Sequence, residues 1–521
     1  MEQTIPRLVQ ASAAAYANDS AVEDGDLRLS YAELAEAGID AARAFIAAGV
    51  EPGDRVAIWA PNIAEWIVAA IGLQSAGATL VTLSTRWKGA EAGYALRKSG
   101  ARLLCTLGDF LGMNYVDALA GQDLPDLGRI IVLRGSAAGA TSWADFTRAG
   151  AAIPREQALD RLNGVAPEDL SDLIFTSGTT GRPKAVATMH GQNIRAFTAW
   201  SEVTGLRAGD RYLIVNPFFH SFGYKAGWLA CLIRGATAIP HAVFDVPEVL
   251  KRIGEEDISV LPGAPTLYQS ILSHPDLKRH DLSNLRLAVT GAAAIPVELI
   301  HRMRRELGFD TIITGYGLTE TCGVVTMCRF DDDPETIART SGRAIPDVEV
   351  RCVDAEGNEV SRGEPGEVVV RGYNVMRGYF DDDSETRKAI DAAGWLHTGD
   401  IGVMDERGYL RITDRIKDMY IVGGFNCYPA EIENLMFGSG YFAQVAVIGV
   451  PDERQGEVGM AFVVPAIDTE VSEESVIAWC RDNMANYKVP RSVRIVDELP
   501  LNASGKVSKL ELRERAKSLR G

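Results

Sequence analysis

The sequence predicts an α/β protein with two domains. The first is a large N-terminal domain of helix-covered, mostly parallel sheets that includes a small antiparallel β region; the second is a small, mobile α+β C-terminal domain. Three observations lead there. Short apolar runs alternate with helical patterns up to about residue 316, the rhythm of parallel strands joined by crossover helices. After about residue 340, short strands bounded by glycines succeed one another without long helices between them. From about residue 418 a self-contained series of helix, strands, helix and strand begins, of a size suited to an independent unit. A chain of 521 residues is too long for one core, and the boundary is expected between residues 1–416 and 417–521.

Taken in order, the Ala-rich residues 11–17 read as part of a helix. Ser30-Tyr-Ala-Glu33 is a capping box that opens a helix running to Gly49. Arg55–Trp59 reads as a buried strand, Ile63–Ala76 as a helix closed by Gly77, and Thr79–Leu83 as a second strand. Leu213–Asn216, Val260–Leu261, Leu287–Thr290 and Ile312–Thr314 are further short strands. Pro296 marks the start of a helix over Val297–Leu307 that ends at Gly308. Strands follow at Glu367–Arg371 and Tyr409–Thr413. The C-terminal part reads as a helix over Pro429–Phe437, strands near Val445–Val450 and Ala461–Pro465, a helix near Glu473–Met484 and a strand at Val493–Val496.

Composition narrows the function. Hydrophobic residues make up 46% and charged residues 24%, as in an ordinary globular enzyme. A net charge of −17 argues against nucleic acid or an anionic membrane as partner. Seven scattered cysteines, with no Cys-x-x-Cys pair, suit a reducing compartment and neither a disulfide framework nor a zinc site. With no 18-residue apolar run and no signal-like N-terminus, the expectation is a cytoplasmic protein without a membrane span.

The chemistry concentrates in a few segments. Thr176-Ser177-Gly178-Thr179-Thr180-Gly181-Arg182-Pro183-Lys184 packs hydroxyl donors, glycines and two cations into nine residues, the makings of a nest for a polyphosphate. It is not a Walker A loop, since the lysine spacing differs and no Ser or Thr follows the lysine. Gly291-Ala292-Ala293 and Gly315-Tyr316-Gly317 stand at the carboxyl ends of two probable parallel strands, where ligands sit in open α/β sheets. The glycines leave room for a flat base, with Tyr316 available to stack on it. Just beyond, Thr319 offers a hydroxyl and Glu320 a carboxylate suited to Mg²⁺ between ATP phosphates. Asp400 ends Trp395-Leu-His-Thr-Gly-Asp400 on a turn, apt to accept two hydrogen bonds from a ribose diol. Thr413-Asp-Arg-Ile-Lys-Asp418 reads as an interdomain hinge, Gly423-Gly424-Phe425 permits close approach of a thin ligand, and Lys506 sits on a glycine-flexed loop.

In this order and spacing these segments resemble the adenylate-forming superfamily of acyl-CoA ligases, adenylation domains and firefly luciferase, from about residue 10 to 515. Two positions depart from its pattern: Ala185 stands where glycine commonly follows the loop lysine, and Asp414 where glycine often precedes the arginine. The resemblance implies ATP, Mg²⁺ and coenzyme A acting with a small-molecule carboxylic acid. It also implies roles: Thr319 at the α-phosphate, Glu320 on the metal, Asp400 and Arg415 on the ribose, and Lys506 between the carboxylate and the α-phosphate. Rotation about Lys417 would then bring Gly423, Gly424 and Phe425 to the pantetheine arm. Within the family's acyl-pocket segment, Asn216–Gly227, His220, Phe219, Tyr224 and Lys225 are the expected substrate contacts, together with the small residue Gly263. That segment, with Gly424–Pro429, is similar to actinobacterial ligases acting on HIP, the methylated hexahydroindanedione propanoate left from steroid rings C and D. Medium-chain fatty or aryl acids, and a non-catalytic nucleotide sensor, are the alternative readings. Oligomeric state is not legible, although large enzymes are often symmetric homodimers.

Overall fold

The computed structural model describes residues 3–176, 183–291, 295–415, 418–422, 425–452, 454–467, 469–484, 486–502 and 506–520, without the side chains of residues 414, 415, 425, 426, 519 and 520. The chain divides into two compact units, Met1–Glu349 with Val370–Leu396, and Val350–Val369 with His397–Gly521.

In the first unit, an eight-stranded sheet is built on β1 (Arg55–Trp59), β2 (Thr79–Thr82), β3 (Leu103–Thr106), β4 (Arg129–Val132), β5 (Thr141–Ser142), β6 (Leu170–Thr176) and β7 (Lys184–Met189). Its order is Gly378–Tyr379, then β7-β6-β2-β1-β3-β4-β5. Pairings from β6 to β5 are parallel, while β7 and the short strand Gly378–Tyr379 add antiparallel at one edge. The parallel strands are apolar on both faces, as double coverage by helices requires: Val56, Ala57, Ile58, Trp59, Leu80 and Val81 are all fully buried. The helix Tyr31–Ala47 starts on the expected capping box, with Ser30 accepting from the Glu33 amide and Glu33 from the Ser30 amide. Beneath it, Ala64–Ser75 is buried almost all round, since it lies between that helix and the sheet interior.

The unit's other strands run in the order Leu27–Ser30, Ser20–Asp24, Thr237–Pro240, Arg211–Ile214 and, after the single-residue bridge Val260, β8 (Leu287–Gly291), β9 (Thr311–Tyr316), Thr326–Met327 and Arg343–Ala344. Two strands differ from the sequence expectation. Leu213–Asn216 is shifted to Arg211–Ile214, and Val260–Leu261 shrinks to that one bridge, because Pro262 offers no amide to continue the ladder. The helix Val297–Leu307 crosses between β8 and β9 as expected.

The second unit holds most of a sheet in the order Val348–Val353, Pro365–Gly372, Leu396–Met404, Leu410–Arg415. It also holds a five-stranded sheet around the long hairpin Phe442–Asp452 and Gly456–Pro465. Pro429–Phe437 and Glu473–Asn483 cover one face, closing a core of Ile432, Met436, Val447, Val463, Val476 and Cys480. The opposite face packs on Lys509–Arg520 through Leu512 and Ala516. No described helix is long and apolar enough to cross a membrane.

At the start of the helix His190–Thr204, the buried His190 accepts a hydrogen bond from the Ile5 amide through Nδ1, at 3.4 Å. Burial lowers its pKa from 6.5 to about 4, so the folded protein keeps it neutral while the unfolded chain takes up a proton. The stability this gives is complete above pH 6.5 and is lost as pH falls towards 4. We expect the stability advantage of wild type over His190→Asn, read from urea unfolding, to shrink by about 3 kcal/mol between pH 7 and pH 4.

Candidate functional site

The phosphate-loop segment sits on an antiparallel hairpin. Thr176 ends β6 and Lys184 begins β7, and the two are paired directly across the ladder. They bracket Ser177, Gly178, Thr179, Thr180, Gly181 and Arg182, which lie outside the described residues. Pro183 follows, its carbonyl accepting from the Tyr94 hydroxyl at 3.2 Å. Lys184 reaches back over the sheet edge, its Nζ 4.7 Å from the centre of the Tyr379 ring and ion-paired with Glu385. The pairing with Lys184 and Lys388 holds the Glu385 carboxyl down at about 2.

The two glycine turns meet as the sequence suggested. Gly291 and Gly315 are register partners at the carboxyl ends of the parallel strands β8 and β9. A side chain at Gly291 would put its Cβ 2.5 Å from the Gly315 carbonyl oxygen, so only glycine admits this approach. Ala292 and Ala293 lie outside the described residues. Tyr316 closes β9, half-buried, and Gly317 is exposed beyond it. The chain then tightens into the turn Thr319–Thr321, pinned by a hydrogen bond from the Leu318 amide to the Thr321 hydroxyl at 3.0 Å. Thr319 is buried, and Glu320 is half-buried with its Oε1 accepting from the Tyr379 hydroxyl at 3.0 Å. Lys184 and Glu320 thus share Tyr379 as a neighbour.

The segment after Asn216 is clamped by Asn62, whose side chain bonds the carbonyls of Ile214 and Asn216 and the amide of Phe218. Phe219 is buried, and His220 caps the short turn Ser221–Gly223, its Nδ1 accepting from the Phe222 amide at 3.2 Å. Tyr224–Leu229 then winds as a π-type turn, kinked at Gly227. Tyr224 and Lys225 do not face an acid, contrary to expectation. Both are fully buried, because their polar ends are already committed inside the protein. The Tyr224 hydroxyl accepts from Gln74 at 3.0 Å. Lys225 meets Asp172 at 3.0 Å and donates to the Thr188 hydroxyl at 2.9 Å. Asp172 also accepts from Ser171, Thr188 and Asn193. Gly263 is buried too, and the space beside it is taken by Leu267, 2.7 Å from where a Cβ would stand.

Asp172 was legible only as an oddity, a charge inside the apolar run Leu170–Phe175. Tyr379 and Glu385 carry no local signal; only the fold brings them to Lys184.

In the second unit, Asp400 and Arg415 are register partners on the antiparallel strands Leu396–Met404 and Leu410–Arg415. Asp400 is buried, and its amide donates to the Thr398 hydroxyl at 3.1 Å. Phe425 opens the strand Phe425–Cys427; Lys417, Gly423 and Gly424 lie outside the described residues. Lys506 is exposed on a small loop, exchanging backbone and side-chain hydrogen bonds with Asn502. Among the described residues, no cluster of three or more His, Cys, Asp or Glu could alone hold a metal.

A hairpin that brackets a hydroxyl-rich segment, and facing glycines at the carboxyl ends of two parallel strands, suit an enzyme that handles a nucleotide. Residues 9–380 match the AMP-binding enzyme family, and residues 431–506 the C-terminal domain of the same enzymes. The chain is 50% identical over 520 residues to a 7a-methyl-1,5-dioxo-octahydro-indenyl propanoyl:CoA ligase of Rhodococcus jostii (strain RHA1), covering 99% of both chains. A ligase of the same description from Mycobacterium tuberculosis (strain H37Rv) is 50% identical over 512 residues, covering 98% of this chain and 99% of its own. Among solved structures, the anthranilate CoA ligase AuaEII with bound anthranoyl-AMP superposes with a TM-score of 0.88 at 28% identity, over 99% of each chain. The chain belongs to the AMP-binding enzyme family and is an AMP-forming acyl-CoA ligase.

The buried Asp172–Lys225 pair yields a prediction. Lys225→Met strands the Asp172 carboxylate and should cost about 3–5 kcal/mol, whereas Lys225→Met with Asp172→Leu should recover most of it. Denaturant unfolding of both variants, set in a double-mutant cycle, measures the difference.

Proposed function

We propose that the acid this ligase activates is HIP, the bicyclic propanoate derived from steroid rings C and D, in steroid catabolism. The 50% identity with the Rhodococcus ligase, whose name specifies that acyl group, carries the reading. The apolar segment around Phe219 and His220 supports it.

In the first half-reaction a carboxylate oxygen of the acid attacks the α-phosphorus of ATP. The bond to the bridging oxygen breaks, giving acyl-adenylate and pyrophosphate. Phosphoryl transfer of this kind is governed by positioning and charge neutralisation. Loop residues 176–184 would hold the β- and γ-phosphates, with Lys184 supplying charge, while Thr319 would contact the α-phosphate. Mg²⁺ is commonly held by one or two carboxylates together with substrate phosphates and water, and Glu320, half-buried with Tyr379 using one lone pair of Oε1, fits that need. Bound there, the ion would supply neutralising charge to the polyphosphate. Gly291, Ala292, Ala293, Gly315, Tyr316 and Gly317 would take the base. Asp400 and Arg415 would take the ribose, a role their cross-strand pairing supports. Lys506 would offset the repulsion between carboxylate and α-phosphate.

In the second half-reaction the CoA thiolate attacks the adenylate carbonyl and AMP leaves. A mobile domain of residues 417–521, turning about Lys417 on the 1–416 domain, would withdraw Lys506 and present Gly423, Gly424 and Phe425 to the pantetheine arm. A cytoplasmic setting fits the seven free, buried cysteines, and a homodimer is the assembly we propose.

Lys506→Ala should lose adenylation far more than thioesterification of a supplied adenylate. Carboxylate-dependent pyrophosphate exchange near wild-type level in that variant would refute the role. The substrate is tested by comparing kcat/KM for HIP with straight-chain and aryl acids. HIP should lead by about a hundredfold, the discrimination an apolar pocket can provide; a straight-chain or aryl acid in the lead would overturn the assignment.

A further inference from the structure

The segment Tyr373–Ile390 lies in the first unit and is tied to the hairpin at several points. The strand Gly378–Tyr379 pairs with β7, Tyr379 opposite Val186 and Gly378 opposite Ala187. The Phe380 and Arg377 amides bond the carbonyls of Ala185 and Ala187, and the Met376 amide bonds the Glu320 carbonyl at 2.8 Å. The Tyr379 amide donates to the Thr386 hydroxyl at 2.8 Å, and that hydroxyl in turn donates to the Asp382 carbonyl. Gly378 has φ +151°, and a Cβ there would stand 2.9 Å from Thr386, so the chain before Tyr379 has one path. The Tyr379 side chain is thereby set between two charges. Its ring lies under Lys184 Nζ at 4.7 Å, and its hydroxyl donates to Glu320 Oε1 at 3.0 Å.

We infer that Tyr379 is a positioning residue for the polyphosphate site, fixing the spacing between the Lys184 cation and the Glu320 carboxylate. The inference rests on the roles proposed above for those two residues. A ring face attracts an ammonium without neutralising it, so it holds Lys184 in place whether its counter-charge is Glu385, as in the structure, or a phosphate. A phenol donating to one lone pair of a carboxylate fixes its plane and leaves most of its acceptor capacity for a divalent cation. Tyr379 therefore acts through both neighbours and touches no reacting atom.

The test uses the full chain and ATP binding by calorimetry, with and without Mg²⁺. Tyr379→Phe keeps the ring and removes only the donor. It should bind metal-free ATP within about twofold of wild type, while the affinity gained on adding Mg²⁺ falls about tenfold. Tyr379→Leu removes both contacts and should also lose several-fold, about three to tenfold, in metal-free ATP affinity. A wild-type Mg²⁺ increment in Tyr379→Phe overturns the inference, as do equal losses with and without Mg²⁺, which would mark a packing role. Should Tyr379→Leu fail to fold by thermal unfolding, Tyr379→Phe still decides the matter. Lys184→Ala and Glu320→Gln are the controls. If neither changes nucleotide binding, the site reading beneath the inference fails; if both do and Tyr379→Phe does not, the inference alone fails.

Discussion

An ion pair from which water is excluded ties the turn Tyr224–Leu229 to the hairpin of β6 and β7. Asp172 and Lys225 have no exposed side-chain surface, yet their contacts belong to three different pieces of the chain. Asp172 and Thr188 are on the two strands of the phosphate-loop hairpin, Asn193 is on the helix that follows, and Lys225 is on the π-type turn after His220. Desolvating two charges costs more than their attraction alone returns, so such a pair is a poor source of net stability. What it provides is intolerance of error. A slip of the Tyr224–Leu229 turn, or of β6 against β7, would leave a bare charge in the core, so the two segments keep one relation. The kinked π-type winding at Gly227, a form of helix often found at functional sites, lets Lys225 point inward while His220 and Phe219 stay at the head of the segment.

The sheet edge then gives the setting proposed for the nucleotide chemistry. Parallel strands alone would leave the loop after β6 leading into a crossover helix, as in Walker-type proteins. Here the next strand is β7, antiparallel to β6, and Gly378–Tyr379 adds a further antiparallel strand. The ends of the segment are paired with each other at Thr176 and Lys184. On the other sheet, the one-residue bridge at Val260 brings Arg211–Ile214 into the same sheet as β8 and β9, which carry the Gly291–Gly315 contact.

Much of this was legible in the sequence, and what was not has a physical reason. The capping box at Ser30, the strand Arg55–Trp59, the Val297–Leu307 crossover and the helix Pro429–Phe437 all follow local rules, because each element's own periodicity and caps determine it. The facing Gly291 and Gly315 were legible for a similar reason, since each stands at the end of a short apolar strand of its own. Lys225 was misread because a lysine among aromatics beside a histidine looks like a ligand contact, and only its distant partner, 53 positions earlier in the chain at Asp172, reveals it as a core group. Tyr379 and Glu385 were missed because a tyrosine and a glutamate in an acidic, turn-rich stretch carry no pattern until β7 pairs with Gly378–Tyr379. Long-range pairing, not local propensity, decides these cases.

A protein with a net charge of −17 must still gather a polyanion, so the cation that meets it has to be presented locally and kept from collapsing onto the nearest carboxylate. Lys184 is in fact paired with Glu385. The other oxygen of Glu385 is held by Lys388 at 2.6 Å, so the carboxylate keeps a counter-ion whichever way Lys184 turns. In the proposed role, moving Lys184 from Glu385 to a phosphate oxygen would exchange one charge-assisted contact for another without orphaning either group. The Tyr379 ring lies beneath Lys184 on the same sheet edge, attracting the ammonium whether its partner is carboxylate or phosphate. The arrangement favours a cation that is already ordered, desolvated on one face and exchangeable on the other, which is what the role proposed for Lys184 at a triphosphate would require.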